Sequence, residues 1–174
     1  MGCNNKTIYI YITLNETYYN TLENEWKNII TDSTWQVGGM DGTGTAKETY
    51  EVEVGAKQSS YVETMKIGLM YASDYGYGVS PEKWTTSLGE YNYGADNWLY
   101  LGDYEWTISR SANSSIYMGF AFTVKSDYGG AVYIYQGSFN DANVVRPSFY
   151  LESSVGISGG TGTESDPFRL NFTS

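Results

Sequence analysis

The chain has 174 residues, enough for one domain with a core of useful size. Its 20 acidic and 10 basic side chains give a formal charge of -10, which repels phosphate backbones and anionic membrane surfaces and argues against a nucleic-acid partner. Histidine is absent and Cys3 is the one cysteine, so the usual general base, the commonest zinc ligand and any intrachain disulfide are missing, and no cofactor is expected.

Met1-Gly2-Cys3 reads as a plain thiol rather than a lipid anchor, because Lys6 stands where myristoylation wants Ser or Thr. No leader-like apolar stretch opens the sequence, which reads as a trimmed ectodomain. No apolar run approaches the roughly 18 residues of a membrane span. From Thr7 to Leu14 the chain alternates, with Ile8, Ile10, Ile12 and Leu14 at period two, and this predicts a strand. Asn15 or Thr17 then caps a helix to about Ile30, whose Tyr18, Leu22, Trp26, Ile29 and Ile30 recur at helical spacing. Trp35-Gln36-Val37 predicts a short strand, and Gly38 to Thr45 a glycine-rich surface loop. Gly39, Gly42 and Gly44 do not make a phosphate loop. Thr45 stands where a Walker loop needs Lys, and Lys47 where a dinucleotide loop needs its third glycine. Tyr50, Val52 and Val54 alternate with Thr49, Glu51 and Glu53, which predicts a strand over Thr49 to Val54.

The continuous apolar run Ile67-Gly68-Leu69-Met70-Tyr71 suits a buried central strand. Ser73 to Gly78 reads as a turn-rich loop, Pro81 to Trp84 as one helical turn, and Gly89 to Asp96 as a loop. Trp98 to Leu101 reads as buried by its composition. The stretch from Tyr104 to Leu151 is richest in aromatic and β-branched residues. Its runs Tyr104 to Arg110, Tyr117 to Val124, Ala131 to Tyr135 and Val144 to Leu151 predict four strands of one antiparallel sheet, with a turn at Ser126 to Gly130. Pro147 has no N–H to give, which puts the last of these at an edge or starts it at the proline. Gly156 to Asp166 is loop-like, and Phe168-Arg169-Leu170 predicts a final strand. Neither a repeat nor a Pro- or Ser-rich linker divides the sequence, so 1–174 reads as one unit.

An ordered series of segments carries a resemblance. Lys66 to Tyr77, Asn97-Trp98-Leu99-Tyr100, Glu105 to Ser109, Val145-Arg146-Pro147 with Tyr150-Leu151, and Gly162 to Phe168 together resemble uncharacterised surface and pilin-like proteins of gut Firmicutes. The C-terminal domain of those proteins is similar to the C-type-lectin-like fold of formylglycine-generating enzymes. The match covers about Ile67 to Leu170 well and the first third loosely. It implies an α+β unit of C-type-lectin-like fold, with a twisted antiparallel sheet, one main N-terminal helix and long irregular loops. It also implies display outside the cell or on the bacterial cell surface. The chain departs from pilin-linked relatives in having no apolar N-terminal helix, and from the enzymes in having no cysteine pair.

The aromatic content, 18 Tyr, 5 Trp and 6 Phe, exceeds what such a core needs. Tyr beside Ser, Gly and Asn is the composition of a binding surface, although cross-strand packing is the plain reading of any single ring. Tyr133 and Tyr135 alternate with Val132 and Ile134, which puts the two rings on one face about 6–7 Å apart. Tyr128, Tyr133, Tyr135, Asn140 and Asn143 form the candidate ligand-binding set, and the loops around Tyr75 and Tyr91 come next. Arg146, in an apolar run, needs a carboxylate, and Asp74, Asp103 and Glu105 are the candidates. Acid pairs among Asp96, Asp103 and Glu105 are what a glycan hydrolase would use. The leading expectation is a non-enzymatic, adhesin-like recognition domain for a glycan or protein on another surface. A structural pilin-like subunit and a carboxylate-dependent hydrolase are the alternatives.

Overall fold

The structure, a computed structural model, describes residues 12–37, 39–40, 44–55, 57, 61–90, 97–111, 120–126, 132–138, 142–163 and 165–171, without the side chains of 39, 40, 120, 132, 133 and 135–138. These residues form a mixed α+β arrangement of small, mainly antiparallel sheets and short helices. Its frame is a sheet ordered β2 (Gly39–Met40), β5 (Glu105–Ser111), β6 (Phe120–Ser126), β7 (Val132–Ser138), in which β5, β6 and β7 are antiparallel neighbours. β2 and β8 (Val144–Val145) both run parallel to β5, at Arg110–Ser111 and at Glu105–Trp106.

The predicted strand Val144 to Leu151 therefore does not complete an antiparallel sheet. It breaks at Arg146: β8 joins β5, and β9 (Pro147–Ser148), which starts at the proline as expected, pairs with β4 (Gly68–Leu69). Only Gly68 and Leu69 of the Ile67–Tyr71 run pair as a strand, but Ile67, Leu69 and Tyr71 are buried as the apolar run requires. A Cβ on Gly68 would stand 2.7 Å from the Trp35 ring, so this backbone can approach the indole only as glycine. Trp35 belongs to β1 (Ser33–Gln36), which pairs antiparallel with β3 (Val62–Met65).

Four further expectations are corrected. Leu14, placed in a strand, lies in α1 (Thr13–Tyr18, π-helical), and most of that predicted strand falls outside the described residues. The single helix to Ile30 is broken once: α1 runs straight into α2 (Tyr19–Thr21), and Leu22 and Glu23 turn extended, with ψ of 150° and 154°, before α3 (Asn24–Ile29). Its apolar face still packs as the spacing requires, since Tyr18, Leu22, Trp26 and Ile30 join Leu14, Ile67, Leu69 and Trp106 in one cluster. Thr49 to Val54 is not a strand but most of α4 (Ala46–Glu53). Thr45 and Glu48 close a reciprocal capping box, with the Glu48 N–H donating to Thr45 Oγ1 at 3.3 Å and the Thr45 N–H donating to Glu48 Oε2 at 3.0 Å. Gly156 to Asp166 contains β10 (Gly156–Gly159), paired with β11 (Arg169–Asn171).

The β5–β6–β7 sheet has two covered faces. One carries α4 and α5 (Ala72–Tyr77) over Phe122, Val124 and Ile134, with Leu88 and Val79 closing that core. The other carries Trp106 and Ala121 beneath Leu14, Ile30 and Ile67. Ser73 to Gly78, expected as a loop, is therefore mostly helix, and its start is fixed by Asp74 Oδ2 accepting the Tyr71 N–H at 2.8 Å.

Candidate functional site

α5 sits on a polar stripe of β5. Glu105, Thr107, Ser109 and Ser111 alternate toward it and all are buried. Two carboxylates anchor the helix to this stripe. At its N-terminal end, Glu53 of α4 accepts the N–H groups of Ala72 and Ser73, each at 3.1 Å, and a very short hydrogen bond from the Ser109 hydroxyl. Three donors favour the anion, yet burial outweighs them and, with the nearby Asp74 charge adding to it, pushes the Glu53 carboxyl up to about 7. Burial also raises Asp74, against the hydrogen bond from Tyr71.

One turn along, the Tyr75 hydroxyl donates to Glu105 Oε2 at 2.6 Å. Arg146 Nη2 donates to Glu105 Oε1 at 2.6 Å, and its guanidinium lies 5.9 Å from the Tyr75 ring. Burial, followed by the hydrogen bond to Glu105, raises the Tyr75 phenol, so this hydroxyl stays protonated as a donor. Of the three acids offered to Arg146 by the sequence, the fold selects Glu105. Asp74 caps α5 and Asp103 is exposed. Glu105, a candidate hydrolytic acid, is buried and has both oxygens committed to structural partners.

The C-terminal end of α5 opens onto a surface corner built of aromatic residues. Tyr77 and Trp84 meet edge to face, with centroids 5.2 Å apart and planes at 85°. Trp84 Nε1 donates to the Val79 carbonyl at 3.1 Å, which fixes the indole against the Pro81–Lys83 turn. The next carbonyl back, that of Gly78, accepts the Trp98 N–H at 2.9 Å. Asn97 locks the join: its Nδ2 donates to the Tyr75 carbonyl at 2.8 Å and its Oδ1 accepts the Leu99 N–H at 3.1 Å. A Cβ on Gly78 would lie 2.7 Å from that Oδ1, so glycine is needed here. On this pinned loop Trp98 is 73% and Leu101 75% exposed, which overturns their reading as buried. Asn97, buried and hydrogen-bonded through its side chain, and Leu99 and Tyr100, packed against the α5 core, hold the segment and leave Trp98 and Leu101 outside it.

The same loop reaches β6, the neighbour of the strand that carries Tyr133 and Tyr135. The Tyr100 hydroxyl donates to Ser126 Oγ at 2.9 Å, and Lys125 stands over the exposed Tyr104 ring at 5.1 Å. Leu88, a few residues beyond Trp84, accepts the Ile134 N–H through its carbonyl at 2.7 Å, tying this segment to β7. Tyr133 and Tyr135 occupy β7 register positions opposite Lys125 and Thr123, and their side chains are outside the described part. Tyr128, Asn140, Tyr91 and Asp96 also lie outside the described residues. Asn143 is half-buried, and its Nδ2 has no hydrogen-bond partner among the described residues. The sequence reading missed the Tyr77, Trp84, Trp98 corner. Its available signal was Trp98 following a Tyr-, Asn- and Gly-rich loop.

Among the described residues no group of three or more His, Cys, Asp or Glu side chains is placed to hold a metal ion, and no helix is long and apolar enough to cross a membrane. No protein-family model, curated protein or solved structure matches the chain.

Proposed function

We propose that this chain is a non-enzymatic recognition domain of an extracytoplasmic bacterial protein, of C-type-lectin-like fold. It binds a glycan or protein on another surface through exposed aromatic side chains. The observation that carries the reading is Trp98, a large apolar ring held in solvent by a loop whose backbone is tied at Gly78 and Asn97. Burying such a ring on binding is favourable, and a loop already ordered in the free protein loses little further entropy. The cell-surface placement rests on the family resemblance. The surface proposed for recognition joins this corner to β7, which carries Tyr133 and Tyr135, because the 97–104 loop bonds to Ser126 of β6 and the 84–88 segment to Ile134 of β7; Tyr128, Asn140 and Asn143 stay in the proposed set on their sequence alone. Glu105, buried and fully partnered, gives hydrolysis no support.

The test is a glycan array together with a panel of purified surface proteins, probed with the parent domain, with Trp98→Ala, and with the double variant Tyr133→Ala/Tyr135→Ala. Binding by the parent that falls in the variants, with unchanged circular dichroism, is the expected result. Parent-like binding by both variants refutes the proposed surface.

A further inference from the structure

Resting on that recognition reading, the structure assigns the Tyr77, Trp84, Trp98 corner a specific ligand class: we infer that it is a stacking subsite for an uncharged hexopyranose ring. The two other strong features of the fold do not lead to a ligand. The Glu53–Ser109 and Glu105–Arg146–Tyr75 networks are buried and partnered within the protein. The exposed hairpin residues Ile157 and Phe168 have nothing beside them to say what covers them.

At the aromatic corner three properties coincide. The first is an open ring on a fixed backbone. Trp98 is largely in solvent while its own N–H is bonded to Gly78, next to Tyr77 in the chain, and its neighbour Asn97 is buried, so the point from which the ring projects is set before a ligand arrives. The second is a fixed ring pair. Trp84 is held through Nε1 and presents an edge-to-face contact with Tyr77, leaving both rings partly exposed beside the Trp98 loop. A pyranose has an axial C–H face that lies flat on an aromatic ring and an equatorial rim of hydroxyls that must stay hydrogen-bonded. The third property answers that rim. Ser80, Glu82 and Thr85, close to Tyr77 and Trp84 in sequence, provide mainly oxygen acceptors, and Ser80 and Glu82 are joined by a 2.8 Å hydrogen bond. Lys83 is the cation of this segment and is half-buried. With a chain charge of -10, an acceptor-rich rim selects sugar hydroxyls over carboxylates or sulfates.

The experiment titrates the parent and Trp98→Ala with cellopentaose, chitopentaose and mannopentaose as neutral probes and oligogalacturonate as an acidic one. Tryptophan emission and indole N–H chemical shifts are the readouts. The expected result is saturable binding of at least one neutral probe, weakened by about tenfold or more in Trp98→Ala, as loss of a central aromatic contact does. Equal binding by Trp98→Ala overturns the subsite while leaving recognition by the remaining surface intact. Binding of oligogalacturonate alone overturns the uncharged class. If none of the sugars binds but a purified protein ligand does, and Trp98→Ala abolishes it, the glycan assignment fails and the recognition reading stands. Failure of every glycan and protein on the array and panel brings down both.

Discussion

Glu53 makes the stability of this protein fall as the solution passes from mildly acidic to mildly alkaline, and the effect can be isolated by substitution. In the folded chain its carboxyl is raised from 4.5 to about 7, chiefly by burial. The folded state therefore holds a proton that the unfolded state has lost. Stability assigned to this group is complete below the unfolded value and is lost as the pH rises through the folded one. At about 1.4 kcal/mol per pH unit, the whole displacement is worth about 3 kcal/mol between pH 4.5 and 8. Glu53→Gln cannot titrate. Its amide retains one acceptor for Ala72 or Ser73 and turns an NH2 group toward the other N–H, a fixed cost of about 1–3 kcal/mol for an unsatisfied donor. At pH 5 the variant is less stable than the parent, and by pH 8 the difference closes or changes sign. Urea melts of both proteins at pH 5, 6.5 and 8 measure this directly. Comparing the two removes the self-repulsion of the other acidic groups, which both share. Parallel stability curves across that range would refute the reasoning.

Three further outcomes test the fold. Trp106→Ala empties a cluster with Leu14, Ile30, Ile67 and Leu69 and should cost about 3–5 kcal/mol in denaturant melts. Thr45→Ala breaks the capping box at α4 and should cost about 1 kcal/mol, visible as a lower urea midpoint with an unchanged slope. Arg146→Met leaves Glu105 buried with only the Tyr75 hydroxyl as a strong partner, and should cost about 3 kcal/mol. The additional replacement Glu105→Gln should recover part of that loss in a double-variant cycle.

What the sequence made legible was where residue type and environment agree. The strand around Trp106 was legible in its extent, and the Trp106 ring in its burial, although the buried polar stripe of the same strand was not. Pro147 marked its own strand start, because a missing N–H is a local fact. The short turn at Pro81 was local in the same way. The errors arose where polar residues face inward. In α4 the buried residues are Ala46, Thr49 and Glu53, Val52 and Val54 pack half-buried against the cores, and Tyr50 is exposed, so Tyr50, Val52 and Val54 do not share the one face that their alternation implied. The capping signature from Thr45 to Glu48 was present and outranks a short period-two run. α5 was hidden by its composition, since Ser, Asp and Gly read as turn residues. Its helix is set by tertiary hydrogen bonds from Ala72, Ser73 and Tyr75 to two distant carboxylates. Trp98 was misplaced because hydrophobicity alone cannot distinguish a ring that fills a core from one held outside it.

Those errors share one physical cause. α5, only six residues long, would not be stable alone. It persists because Glu53 satisfies N–H groups at its start, the Tyr75 hydroxyl donates to Glu105 from its middle, and Asn97 Nδ2 donates to the Tyr75 carbonyl near its end. Apolar packing on Ala72 and Tyr75 supplies attraction, but such contacts tolerate small rotations and slides. Hydrogen bonds at three points along the helix do not, since each loses its geometry within a few tenths of an ångström. The polar stripe of β5 thus fixes the helix in one register, and the helix fixes Gly78, whose carbonyl holds Trp98. Burial of the Glu53 carboxyl lowers the stability of the folded chain at high pH, and in return Glu53, together with Glu105, defines the position of the exposed aromatic corner.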